Sequence, residues 1–374
     1  METWLLNEAT AFCYADPEAA KEEIKAAGEC RARERSPNPP KLRLSCAWSQ
    51  LLSGIDRAKH EAKHYLTSSS KDFKLSIQRL VVVGSCMVDL VSYVPRLPKP
   101  GETIHGTQFI KGFGGKGANQ CVMAARLGAK TAMVAKLGND TFGHSTVQNF
   151  HDNNIDCDYV TLTSEVSSGV AAITVNEQGE NSIVIVSGAN SLLSPADVEH
   201  ATDVICGAKV LICQLEVPME TSLVALQMGR QYKATTILNA APGKVLLQEV
   251  YDSVDILCVN ETEAEILTGM VVLGLEQGRV AVEAMRAKGP PRVVLTMGEQ
   301  GVLYSDGASV KHVPAMKVDV VDTTGAGDAF VGAMAFYLAC HPHLSFDEVI
   351  KRSAVIASTT VTAKGTQSSY CVSK

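Results

Sequence analysis

Asp322-Thr323-Thr324-Gly325-Ala326-Gly327-Asp328-Ala329-Phe330 runs directly into an apolar stretch, 331–339, that reads as a helix. Several devices for handling phosphate are stacked there. Gly325, Ala326 and Gly327 have almost no side-chain bulk, so their backbone N–H groups can approach an anion closely. They sit where the helix begins, so unsatisfied amides and the positive end of the dipole face whatever binds. Asp328 adds a carboxylate beside that anion hole, where a hydroxyl must lose its proton to attack phosphorus. The chemistry is phosphoryl transfer to an alcohol. A plain capped helix start, with Asp favoured in the first turn by the dipole, fits the same letters.

A second glycine-rich run, Gly112-Phe113-Gly114-Gly115-Lys116-Gly117-Ala118-Asn119-Gln120, contains G-x-G-x-x-G. It follows a polar ribbon instead of the first core strand, so it is no dinucleotide fingerprint. The upstream Gly and the Ser/Thr after Lys116 that a P-loop needs are not in place. It offers a tight approach with a cation and an amide at a helix start, which suits a polyhydroxyl ligand. Asp89, in Gly84-Ser85-Cys86-Met87-Val88-Asp89, follows the first strand and could be a turn former or helix cap. Glu216 leaves the apolar run 210–215, where a solvated loop Glu is the ordinary explanation. Asn260-Glu261-Thr262-Glu263 ends a strand and opens a helix, close to a capping box. Thr296-Met297-Gly298-Glu299-Gln300-Gly301 is a strand-to-turn segment that could simply start a hairpin into Val302-Leu303-Tyr304.

Taken in order from Leu80 to Tyr370, these segments resemble the ribokinase family of sugar and nucleoside kinases. Asp322 to Phe330 matches its C-terminal signature and the second glycine run its N-terminal one. Within the family, Gly-Gly-Lys-Gly-Ala-Asn-Gln resembles the ribose kinases more than the adenosine kinases. The resemblance implies transfer from ATP to D-ribose, giving ADP and D-ribose 5-phosphate, with Asp328 as base and Gly325, Ala326 and Gly327 as the anion hole. It implies that Met87, Val88, Asp89, Gly115, Lys116, Gly117, Ala118, Asn119, Glu216 and Asp328 meet the sugar, with Gln214 a further candidate. ATP would meet Asn260, Thr296, Met297, Gly298, Glu299, Gln300, Gly301, Gly327 and Asp328, and Glu263 would act on Mg²⁺ through metal-bound water. A potassium ion would be ringed by Asp322, Thr324, Thr360, Ala363, Gly365 and Ser369, whose carbonyl and carboxylate oxygens suit a hard cation. The relatives continue past the point matching Lys374, so the cation site and the last edge of the fold are where this chain would depart from them. Another sugar or nucleoside as acceptor, and a non-catalytic sugar-binding role, stay open as alternatives.

The elements that must position these groups follow from periodicity. Short apolar β runs at 80–84, 131–137, 209–213, 235–238, 255–259 and 292–297 alternate with helical patterns at 118–127, 142–153, 195–206, 220–232 and 275–288. Alternation of this kind predicts an α/β fold with a doubly wound, mostly parallel sheet flanked by helices, its ligands beyond the C-terminal strand ends. Residues 101–111 and 170–186 read as β-ribbons standing apart. In the family, segments there, near 94–115 and 169–187, form a small lid that commonly makes a homodimer contact.

Residues 1–78 read differently. They hold Trp4, Trp48 and the breaker Ser36-Pro37-Asn38-Pro39-Pro40, with no motif, and suggest a poorly ordered extension before a kinase domain over 79–374. The 46% hydrophobic content provides an ample core, and a net charge of −6 offers no reason to expect nucleic acid or an anionic membrane as partner. No apolar run approaches the roughly 20 residues of a membrane span. Glu2, Glu8 and Asp16 in a terminus without an apolar core argue against a signal or transit peptide. The 11 cysteines show no C-x-x-C pair, as reduced thiols do, so the cytoplasm is the expected compartment, with the nucleus open as well.

Overall fold

Leu80-Val81-Val82-Val83 has no polar face to offer water, and all four residues are wholly buried. A strand of that composition needs cover on both sides, which a parallel sheet between helix layers provides. The computed structural model describes residues 80–371; the expected extension over 1–78 lies outside them.

In chain order the strands are β1 (Leu80–Val83), β2 (Met87–Tyr93), β3 (Gln108–Gly114), β4 (Thr131–Gly138), β5 (Asp156–Thr163), β6 (Gly169–Val175) and β7 (Asn181–Val186). They continue as β8 (Val210–Cys213), β9 (Thr235–Asn239), β10 (Ile256–Asn260), β11 (Arg292–Thr296), β12 (Val302–Ser305) and β13 (Val310–Val313). The helices are α1 (Lys116–Arg126), α2 (Thr141–Asp152), α3 (Pro195–His200), α4 (Thr202–Cys206) and α5 (Met219–Gln231). Then come α6 (Gln248–Asp252), α7 (Glu261–Thr268), α8 (Leu275–Arg286), α9 (Ala326–Cys340) and α10 (Phe346–Thr360).

The main sheet has nine strands in the order β13-β12-β11-β10-β9-β8-β1-β4-β5. From β11 to β5 every pairing is parallel, and only the β11–β12 and β12–β13 pairings at one edge are antiparallel. Alternate residues point to opposite faces and feed two cores. Val81, Val83, Leu211 and Cys213 pack with α3 to α8. Leu80, Val82, Val210 and Ile212 pack with α1, α2, α9 and α10. Full burial of such a side chain stabilises by about 1.5–3 kcal/mol. Because α1 and α9 share one face, the two glycine-led helix starts open at the same strand ends. Gly332 lets them close up: a Cβ there would lie 2.5 Å from the Gln120 carbonyl oxygen.

A separate four-stranded sheet has the order β3-β2-β6-β7. The segments read as ribbons hold β3, β6 and β7, but the fourth strand, β2, lies outside them. Asp89 therefore sits inside a strand, paired with Gly112 and Ala171, and is neither a turn former nor a helix cap. Two other departures are local. The span 195–206 is two short helices meeting at Ala201. The edge strand β5, Asp-Cys-Asp-Tyr-Val-Thr-Leu-Thr, has no apolar run because it is only half covered. Among the described residues no helix is long and apolar enough to cross a membrane.

Candidate active site

The C-terminal ends of β1, β8, β9, β10 and β11 point the same way, and the candidate residues gather there. β1 exits at Gly84-Ser85 and β8 at Gln214-Leu215-Glu216. Ser85, wholly buried, donates its hydroxyl to Glu216 Oε2 at 2.5 Å. The same oxygen accepts the Lys116 backbone N–H at 2.9 Å. Ser85 also accepts from Gly117 through Oγ at 3.3 Å and from Ala118 through its carbonyl at 2.8 Å. So Glu216 is no solvated loop residue: with Ser85 it closes the N-terminus of α1. The chain enters that helix through Gly115 at φ 87°, where a Cβ would stand 2.7 Å from the Met87 amide nitrogen.

α9 begins after Gly325, in the left-handed region at φ 78°, and no side chain caps it. A Cβ on Gly325 would meet Thr366 Cγ2 at 2.3 Å and Tyr370 Oη at 2.9 Å. Tyr370 donates its hydroxyl to the Gly325 carbonyl at 3.0 Å, and burial pushes the phenol up, so it stays a donor. Gly327 is exposed, and apart from its neighbours and its own helix backbone nothing comes within 4 Å of where its Cβ would be. Asp328 follows at 6% exposure. Its Oδ2 accepts from Asn119 Nδ2 and its Oδ1 from Gln120 Nε2, each at 2.9 Å. Beyond them, Gln120 Nε2 reaches Asn239 at 3.0 Å, Gln214 reaches Gln120 at 2.7 Å, and Gln367 reaches Asn119 at 3.0 Å.

The electrostatics tie the pieces together. Asp89 is pushed up to about 6 by burial, with the Glu216 and Asp328 carboxylates adding to the effect. The Asp328 carboxylate holds the Lys116 ammonium above its ordinary range against the opposing pull of burial. Glu263 is raised by burial, although the Asn260 amide donating to it at 2.8 Å works the other way. Asp322 is lowered: burial pushes it up, but hydrogen bonds from Thr324 and Gly365 outweigh this. Those two amides donate to its two oxygens at 2.9 Å each, joining the loop before α9 to the loop after α10.

The remaining expected contacts fall in two further places. Asn260 and Thr296 are register partners at the ends of β10 and β11. Asn260 and Glu263 form a complete capping box on α7. Gly298, Glu299 and Gln300 make an exposed 3-10 turn closed by Gly301, whose carbonyl accepts from Met297 at 2.8 Å. Met297, Met87, Val88 and Ala118 are almost inaccessible. Thr360 ends α10 and Ala363, Gly365 and Ser369 follow it, with Gly365 and Thr324 the two that bond to Asp322.

Several residues that the sequence did not single out prove central. Ser85, Gln120, Asn239, Gln367 and Tyr370 all bond to a candidate residue directly or one step away. Gln120 ends the quoted glycine run and Ser85 follows the first strand, so only their positions hinted at them. Gln214, read as a possible sugar contact, is wholly buried and spends its amide on Gln120. Arg126 holds the C-terminal loop through the carbonyls of Gln367 and Tyr370.

Comparisons with known proteins identify the family. The model for the pfkB family of carbohydrate kinases matches residues 77–372. A ribokinase of Mus musculus is 51% identical over 294 residues, 78% of this chain and 91% of that protein. A deoxyribokinase of Salmonella typhi is 41% identical over 292 residues, 78% of this chain and 95% of that one. The solved Arabidopsis thaliana ribokinase complexed with ribose and ATP superposes at a TM-score of 0.73 with 32% identity, covering 79% of this chain and 96% of that one.

Proposed function

Because this chain belongs to the pfkB family of carbohydrate kinases, we propose that it transfers the γ-phosphoryl group of ATP to the primary hydroxyl of D-ribose. The products are ADP and D-ribose 5-phosphate. One observation carries the reading: a buried carboxylate, Asp328, held through both oxygens, stands in the first turn of a helix that no side chain caps. Asp328 takes the proton of the attacking hydroxyl, and the amides of Gly325 to Gly327 stabilise charge on the transferred group. Asp89, Gly115, Lys116, Asn119 and Glu216 hold the sugar. Both bonds to Glu216 fall on Oε2, which leaves Oε1 to accept from a sugar hydroxyl. Asn260, Thr296 and the turn through Gly301 take the nucleotide, and the small sheet acts as a lid that keeps water from the reacting groups.

ATP use in this family implies a divalent metal, and the residues fit one. The buried Glu263 carboxylate disfavours its own charge, so a cation nearby offsets that cost, and Glu263 would hold Mg²⁺ through water. Asp322, kept ionised, and the hydroxyls and carbonyls of Thr324, Thr360, Ala363, Gly365 and Ser369 are all hard donors that suit potassium. When bound, the cations supply charge neutralisation at the phosphates and electrostatic support beside the entry to α9.

The test is ADP release by the full chain with ATP, Mg²⁺ and ribose, with and without potassium. Ribose-dependent, potassium-stimulated turnover is expected, and Asp328→Asn should lower kcat by ~10²–10⁴ while sparing ribose binding. Normal turnover in that variant refutes the mechanism. Ribose binding without turnover in the wild type favours a binding role instead. The similarity to a deoxyribokinase makes 2-deoxyribose the competing acceptor. Sites that bond a hydroxyl reject its absence strongly, so kcat/KM for the two sugars decides.

Two further features belong to the same reading. β7 is exposed along its whole length, with Ile183, Val184, Ile185 and Val186 at 49–62%. A bare apolar edge strand of this kind calls for a partner, and a second copy of the lid provides it, making a homodimer. Val184→Lys should then sediment as a monomer where the wild type is a dimer. The cytoplasm suits the thiols: Cys86, Cys121, Cys213 and Cys258 are free and buried.

A further inference from the structure

Gln120 is wholly buried, and its side-chain amide has two N–H donors and one carbonyl oxygen to satisfy. All are used. Nε2 donates to Asp328 Oδ1 at 2.9 Å and to Asn239 Oδ1 at 3.0 Å, while Oε1 accepts from Gln214 Nε2 at 2.7 Å. The polarity of this chain is not free. Asn239 Nδ2 donates at 3.3 Å to the backbone carbonyl of Cys258 in β10, a group that can only accept. Asn239 must therefore turn its oxygen to Gln120, and Gln120 must turn its NH₂ group to Asp328. Gln214 Nε2, from the end of β8, donates to the remaining Gln120 oxygen in keeping with that direction. A carbonyl of the central sheet thus dictates, through two amides, which atoms face the carboxylate.

We propose that Gln120 is a positioning residue for phosphoryl transfer, fixing the Asp328 carboxylate in the one orientation from which it can take a proton. The inference rests on Asp328 being the base. Oδ2 is held by Asn119, a residue that also faces the sugar site, so only the Oδ1 arm is devoted to the carboxylate. With both oxygens held, rotation about the Cβ–Cγ bond stops, while each oxygen keeps a lone pair for the incoming hydroxyl. A displacement of about 1 Å in such a group can cost ~10²-fold in rate. A polar residue that merely fills the core would have no such selectivity for kcat.

The test measures ADP release by the full chain, over a range of pH, for three variants alongside wild type and Asp328→Asn. Gln120→Leu removes both donors at similar volume, and kcat should fall about a hundredfold with KM for ribose within about threefold. Gln120→Glu keeps the shape. Its carboxyl donates to Asp328 while protonated and repels it once ionised, so the loss in kcat should deepen as pH rises. Lys116, Asp89, Glu263 and Tyr370, the other titratable groups bearing on Asp328, are untouched in each case. Asn239→Ala removes the anchor of the amide and should cost about tenfold in kcat, which keeps the proposal testable if the Gln120 variants do not fold. Wild-type kcat in Gln120→Leu or Asn239→Ala, or a Gln120→Glu loss equal at every pH, overturns it. If Asp328→Asn is inactive while Gln120→Leu is normal, this inference alone fails. Turnover by Asp328→Asn removes the base, and the inference with it.

Discussion

Two helices start at the site, each after a glycine with positive φ, and their N-termini are used differently. At α1 the first amides are taken by the protein itself, by Glu216 and by the hydroxyl and carbonyl of Ser85. At α9 no side chain caps the helix; Ala326 N–H is taken by the Thr323 carbonyl at 3.2 Å, but Gly327 faces space that nothing beyond its own helix approaches. A helix start closed by protein groups is a rigid support, and α1 uses it to hold Lys116, Asn119 and Gln120. An open start keeps its donors and dipole for an anion. In the proposed reaction the same motif thus serves positioning in one place and charge stabilisation in the other.

That contrast can be broken most forcefully at Gly325. Gly325→Ala forces an L side chain into the left-handed region and against Thr366, so the α9 amides lose their aim. Loss of an oxyanion donor typically costs ~10²–10³ in kcat, and a loss of that order with ribose KM nearly unchanged is expected from steady-state kinetics. Glu216→Ala attacks α1 and should act on binding instead. Bonds to a charged group contribute ~1.5–3 kcal/mol, so ribose KM should rise about 10- to 100-fold, with kcat affected less. An equal kcat loss in both variants would erase the distinction between the helices.

Asp89 sharpens the binding side through pH. Raised to about 6, it is ionised above that pH and protonated below it. A carboxylate that accepts sugar hydroxyls must be charged, so ribose KM should climb by about tenfold per unit as pH falls below 6. A pH-independent KM would show that Asp89 does not bond the sugar. The smallest effect is expected from Ser85→Ala, which removes one bond to Glu216 and one to Gly117. About 1 kcal/mol of stability per bond should appear in denaturant unfolding, with kcat within a factor of a few of wild type.

Much of this molecule could be read from its letters. The buried strands β1, β8 and β10 announce themselves as apolar runs, and their alternation with helical patterns makes a parallel sheet. The glycines before Lys116 and Asp328, and the capping box at Asn260, depend on near neighbours, so spacing alone marks the helix starts, and the family resemblance adds the phosphate chemistry. What spacing does not carry is pairing between distant segments. Gln120 meets Asp328 across 208 residues and Ser85 meets Glu216 across 131. β2 joined the small sheet because its edges found β3 and β6, although Met87 to Asp89 reads like a strand exit. Local periodicity reports which face a residue shows, and that is set by nearby backbone geometry. Which partner a buried polar group finds there depends on how close the sheet and helices bring it, and only the tertiary structure decided that.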